Sequence, residues 1–266
     1  MADGLTLLTG SLLLRGYVFG FLLLYLLVAA IEWGWRRALL FTGLAASLAL
    51  AAEWTSTRIG VPFGLYHYTE TTRGTEVYLG NVPLFDPLSF TFLAYASFGV
   101  ARLVLAGSGD RAGLAVATGL LMTWLDLVID PLAVRGDRWF LGRIFYYPSP
   151  GRYFGVPVAN FVGWAVLGTV IAGLWLFGVA PAARGRGARS ATSRPGGRTC
   201  PVTVGAVAIY YLVVVFNLAL TAWIGEPWLF ATGVGLHLPL LGVVLWSLGR
   251  SRRRGSGPSR LKGGRG

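Results

Sequence analysis

Seven long apolar runs constrain this chain more than any other feature. They lie at about Leu5–Ile31, Ala38–Trp54, Leu88–Ala106, Leu114–Ile129, Val156–Val179, Val202–Ile224 and Trp228–Leu248. A helix that crosses the hydrocarbon core of a bilayer needs about 20 mostly apolar residues. Within that core the backbone must satisfy its own hydrogen bonds, which favours helices. The expected fold is all-α: a polytopic membrane helix bundle of about seven spans. Composition agrees, with 55% hydrophobic and only 13% charged residues, against roughly 25% charged in an average soluble domain.

The first run carries Arg15, so its spanning part is expected to begin after that residue. It opens Met1-Ala2-Asp3, with no basic stretch and no small-residue cleavage site, and reads as a retained helix rather than a signal peptide. Residues 1–249 are expected to form the bundle. Within them, residues 181–201 are rich in Arg, Gly, Ser and Pro and read as a mobile loop. Residues 250–266 read as a basic, disordered cytoplasmic tail. The lone Cys200 excludes a disulfide within the chain, and two histidines argue against a His-rich metal centre. No metal and no cofactor are expected.

A net charge of +12 suggests nucleic acid at first sight. Seven spans, however, put residues 36–37, 102–111 and 181–201 on one side together with the C-terminus. That side holds sixteen of the 23 basic residues and two of the eleven acids. By the positive-inside rule it is cytoplasmic, which places the N-terminus outside and the protein in the cell's inner (plasma) membrane. The charge then reports topology and contact with the lipid bilayer, and the case for nucleic acid falls away.

Topology does not explain acids at the ends of apolar spans. Intramembrane carboxyls are costly and count as functional candidates. Glu53 sits near the outer end of the second span, and Asp126 and Asp130 near that of the fourth. The i, i+4 spacing of the two aspartates puts them on one helix face. Burial and the negative end of the helix dipole both favour the proton-bearing carboxyl that a general acid requires. The competing reading is that these acids pair with Arg58, Arg135 or Arg138 and hold helices together. Asp86-Pro87 reads as a helix N-cap followed by proline at the first helical position.

The loop after Glu53 carries Gly60, Pro62 and Gly64, which argue for a fixed turn, and then Tyr66, His67 and Tyr68. These three rings suit either a site or an interfacial aromatic belt. Asn160 and Trp164 are i, i+4 at the start of the fifth span, where a buried Asn needs partners. Asn217 lies in the outer half of the sixth span and can join the same cluster. His237, mid-span in the seventh, reads as a hydrogen bond to a neighbouring helix rather than a catalytic group. Phosphate-loop, zinc-protease and nucleophile-elbow motifs are absent, and the single D-x-x-x-D of Asp126 and Asp130 lacks the second cluster a metal–diphosphate site would want.

Taken together, Glu53-Trp54, Gly60-x-Pro62-Phe63-Gly64-x-Tyr66-x-Tyr68, Asp126-x-x-x-Asp130-Pro131 and Gly155-x-Pro157-x-x-Asn160-x-x-Gly163-Trp164 resemble the integral-membrane carotenoid biosynthesis proteins. That group includes acyclic carotenoid hydratases of the bisanhydrobacterioruberin and 1′,2′ types. The resemblance covers residues 20–250 apart from the 181–201 loop. It implies addition of water across a terminal C=C of an acyclic carotenoid, giving a tertiary alcohol without a redox cofactor. The substrates would be the polyene and water, and other carotenoid biosynthesis enzymes are candidate partners. In chemical terms Glu53, Asp126 or Asp130 would protonate the alkene. Trp54, Tyr66 or Trp164 would hold the cation by their faces. A second carboxylate or His67 would take a proton from water oriented by Asn160, with Tyr68, Asp86 and Asn217 completing the substrate site. Acid-driven isomerisation or cyclisation would use the same cation. A proton-coupled transporter could use the same carboxyls as a relay.

Overall fold

The computed structural model describes residues 3–106, 108–180 and 201–255. It is a bundle of eight α-helices: α1 (Gly4–Leu14), α2 (Gly16–Trp33), α3 (Trp35–Ile59), α4 (Phe85–Val104), α5 (Arg111–Ala133), α6 (Val158–Leu174), α7 (Pro201–Trp223) and α8 (Pro227–Gly255). Seven of them, α2 to α8, are long and apolar enough to cross a membrane, α6 together with the π-helical stretch Trp175–Val179 that continues it. The expected mobile loop over 181–201 lies outside the described residues except for Pro201, which begins α7. The tail from residue 256 onward also lies outside them, while α8 carries residues 250–255.

The first apolar run is two helices, because the backbone of Arg15 leaves helical geometry between α1 and α2. Its guanidinium turns inward to acidic partners, so the break lies where a charge can be satisfied. Gly34, with φ 83°, joins α2 to α3 in a one-residue turn that a side chain would strain. The result is a tight antiparallel hairpin.

Helix α4 is the axis of the bundle: 78% of its spanning window is buried, against 17% for α2 and 22% for α8. It lies against α2, α3, α5 and α7. Helices α5 and α6 approach most closely, through glycines. A Cβ at Gly119 would run into the Ala165 carbonyl and Thr169, and Gly168 faces the Gly119 backbone. Gly119→Ala is therefore expected to destabilise the bundle by about 1–3 kcal/mol or more through overpacking. At Gly173 a Cβ meets nothing within 4 Å, so Gly173→Ala is expected to be neutral or to stabilise by up to ~1 kcal/mol through helix propensity. Thermal transitions of the two purified variants in detergent check this; equal transitions would contradict it.

One end of the bundle is built up by two long connections, residues 60–84 and 134–157. Short antiparallel strands tie them together. Strand β1 (His67–Tyr68) pairs with β4 (Phe145–Tyr146), with His67 opposite Tyr146. Strands β2 (Tyr78–Leu79) and β3 (Val82–Pro83) form a second two-stranded ribbon. Glu226, between α7 and α8, accepts Arg135 at 3.0 Å and also pairs with Arg138. At the opposite end Glu32 accepts the Tyr95 hydroxyl at 2.7 Å and pairs with Arg102.

Candidate active site

The turn after α3 is fixed from within. Gly60, with φ 74°, ends the helix. The Phe63 amide then donates to Ser56 Oγ at 3.0 Å. Gly163 lets this turn rest on α6, since a Cβ there would strike Pro62 and Phe63. Phe63 thereby reaches Phe90 at 5.8 Å and Trp164 at 6.3 Å, and Phe90 stacks on Trp164 at 4.5 Å between ring centroids. These three rings make an apolar wall.

A second aromatic group faces it. The β1–β4 pairing brings Tyr66 to 5.5 Å from Tyr68 and 5.9 Å from Tyr147. Burial, followed by the Glu53 carboxyl, pushes the Tyr66 and Tyr68 hydroxyls well above their ordinary range. Burial, followed by Asp130, does the same to Tyr147. All three are neutral hydrogen-bond donors at physiological pH.

The acids end in this space. Glu53, 3% exposed, accepts the Tyr68 hydroxyl at 3.0 Å. Asn160 is buried and uses one amide nitrogen on two carboxyls, Asp126 Oδ2 at 2.6 Å and Asp130 Oδ2 at 2.8 Å. The Tyr147 hydroxyl reaches the same Asp130 oxygen at 3.5 Å. Asp126 is fully buried, and its Oδ1 has no partner among the described residues.

A cavity of about 960 Å³, counting its open mouth, joins these groups. Glu53, Asp86, Asp130 and Asn160 line it, as do Tyr66, Tyr68, Trp164 and Asn217. Arg15 is the one cation in the lining among the described residues. The remaining wall is mostly apolar, with Phe21, Phe92 and Phe216 among it.

Three sequence candidates lie elsewhere. Asp126 stands behind the lining and shares the Asn160 amide with Asp130, which does line it. Trp54 is half exposed under the Arg58 guanidinium, 3.9 Å from its ring centroid. His67 points to Tyr146 across the β1–β4 pair, at 5.8 Å between rings, and does not line the cavity. The alternation of a strand accounts for this, since neighbours on it face opposite ways.

Asp86 departs from the cap expected of it. Helix α4 begins at Phe85, so Asp86 and Pro87 stand in its first turn, and Leu84 holds the cap position without a side-chain bond. The Asp86 carboxyl instead meets Arg15 Nη1 at 2.9 Å. None of Glu53, Asp126 and Asp130 is paired with Arg58, Arg135 or Arg138; Arg58 donates to the Trp54 carbonyl, and the other two pair with Glu226. His237 is 3% exposed, and neither ring nitrogen has a partner among the described residues.

Among the lining residues that the sequence did not point to, two carry polar groups that bear on the chemistry, Arg15 and Tyr147. Arg15 was legible only as a cation interrupting an apolar run. Tyr147 had no local signal, because it enters through the β1–β4 pairing. Among the described residues no group of three or more His, Cys, Asp or Glu is placed to share a metal ion.

Residues 12–239 match a protein family described as carotenoid biosynthesis protein. A bisanhydrobacterioruberin hydratase of Haloarcula japonica is 30% identical over 147 residues, which is 54% of this chain and 46% of that protein. The chain thus spans about half the length of the curated relative it matches. No solved structure matches the chain.

Proposed function

Because this chain belongs to the carotenoid biosynthesis protein family, we propose that it adds water across a terminal C=C of an acyclic carotenoid to give a tertiary alcohol. The observation that carries the reading is the cavity. It sets an aromatic wall against several carboxyls and a single cation. An alkene needs a proton donor, a surface that tolerates a carbocation, and a base for the incoming water. Here all three face one space. The similar protein's name, a hydratase, points the same way.

In this reading the polyene end lies along Phe63, Phe90 and Trp164. Glu53 gives its proton to the less substituted alkene carbon, and the π electrons form the new C–H bond. The other carbon becomes a tertiary cation, which ring faces stabilise. Water adds through oxygen, and Asp130, held by Asn160, takes the proton released. That proton returns to Glu53 through the Tyr147, Tyr66 and Tyr68 hydroxyls, so the net change is one water added. We assign the cavity end of the bundle to the outer face of the plasma membrane, with the C-terminus cytoplasmic, because the basic residues gather at the other end.

The test is hydration by membranes carrying the full chain, supplied with an acyclic carotenoid in water bearing heavy oxygen. The expected product is heavier by one labelled water and carries the label in a tertiary alcohol. A product of unchanged mass would replace hydration with cyclisation or isomerisation. An unlabelled hydroxyl would place the oxygen's source elsewhere and overturn the reading.

A further inference from the structure

The buried arginine at the cavity carries an inference about which carboxyl does what, and it rests on the hydration reading above. Arg15 is fully buried. One edge of its guanidinium, Nε and Nη2, grips both oxygens of Glu76 at 3.0 and 3.1 Å. The remaining nitrogen, Nη1, stands 2.9 Å from Asp86 Oδ1. Burial works against the charge on Arg15, but Asp86 and Glu76 outweigh it and hold the guanidinium charged, well above its ordinary range. Arginine suits this geometry because its planar fork addresses two carboxylates at once.

The triad is pinned from several elements. Arg15 is the break between α1 and α2, Glu76 lies in the loop before β2, and Asp86 is on the first turn of α4. The Val77 amide donates to Ser11 Oγ at 3.0 Å, which fixes the loop against α1. Thr72 donates to Glu76 as well. One cation thus meets two acids, and of the three residues Arg15 and Asp86 line the cavity.

Glu53 lines the same cavity, and the Tyr68 hydroxyl that donates to it also faces Asp86. Carboxyls that share a low-dielectric site ionise one at a time. Arg15 touches Asp86 and does not touch Glu53. We propose that Arg15 is a positioning residue that assigns the charge between Asp86 and Glu53: it holds Asp86 as a standing carboxylate of the cavity and leaves Glu53 as the carrier of the transferable proton. The fixed negative charge of Asp86 then faces the developing carbocation, where it lowers the barrier electrostatically.

The titratable and charged groups around Asp86 are Arg15, Glu76, Tyr66, Tyr68, Tyr78, Glu53 and Asp130, with Tyr17 beside Arg15. Without Arg15, Asp86 takes up a proton at higher pH, because its stabilising cation is gone. The acid limb of the rate profile therefore moves up.

The experiment measures labelled alcohol formation by membranes across a pH series, for the wild type, the double variant Arg15→Gln with Glu76→Gln, and Arg15→Lys. The double variant removes the cation together with the acid it grips, so no unpaired Glu76 is left. Its rate at neutral pH is expected to fall about tenfold or more, with the acid limb raised by about one pH unit. Arg15→Lys keeps the charge and is expected to keep the limb in place. A double variant with wild-type rate and profile would reduce Arg15 to a structural tie and overturn the proposal. So would a raised limb in Arg15→Lys, which decides the matter if the double variant does not accumulate. A wild type that makes no labelled alcohol would instead sink the hydration reading itself.

Discussion

Replacing Glu53 by Gln is expected to lower hydrated product per unit of membrane protein by about 100-fold or more, within the range of a lost general acid. Gln has nearly the same volume, and its amide oxygen can still accept the Tyr68 hydroxyl that now reaches Glu53 at 3.0 Å. What it lacks is a transferable proton. Among the described residues Glu53 has no cationic partner, so the exchange leaves no buried charge stranded, and the thermal transition in detergent is expected to stay within a few degrees. The two measurements together separate chemistry from folding. A Gln variant that retains a third of the wild-type rate would remove Glu53 from the role of acid. A variant that loses rate and stability together would make Glu53 a packing residue.

Asp130→Asn is the second large effect, expected at about 100-fold in rate, and it differs from Asp126→Asn in a way that reports geometry. Asp130 lines the cavity, whereas Asp126 lies behind it. Both hang on the same nitrogen of Asn160. Asp126 is thus a positioning residue that acts through Asn160, and its change to Asn is expected to cost only about tenfold. The double variant is expected to be no slower than Asp130→Asn alone, since groups that act as a unit are not additive. Initial rates of labelled alcohol formation check all three. An Asp126 variant slower than the Asp130 variant would exchange their roles, and an additive double variant would break the unit.

The seven spans were legible because bilayer thickness dictates their length, whatever the tertiary structure. The shared helix face of Asp126 and Asp130 was legible for a similar reason, as helical periodicity is local. Asp86 shows where that ends. An Asp-Pro pair at a helix start fits a cap or a first turn equally well, and what decides is an arginine 71 positions earlier in the chain. The Tyr66-His67-Tyr68 stretch is a subtler case. A two-residue strand is too short for its alternation to stand out, so His67 looked equivalent to its neighbours. Its partner strand, far along the sequence, turns the tyrosines to the cavity and the histidine away. Trp54 beside Glu53 was separated from it by the same kind of geometry, one helical step rotating it outward.

The most enclosed helix also has a history. Helix α4 precedes its cover by a long stretch of chain: a Cβ at Gly99 would strike Ala206 on α7, a residue synthesised more than 100 positions afterwards. Until then Thr91 and Ser97, both wholly buried in the finished molecule, lie against lipid or a passing neighbour. Chain order thus puts Glu53, Asp86, Asp126 and Asp130 into the membrane protein ahead of α7, the helix that covers α4 in the finished molecule.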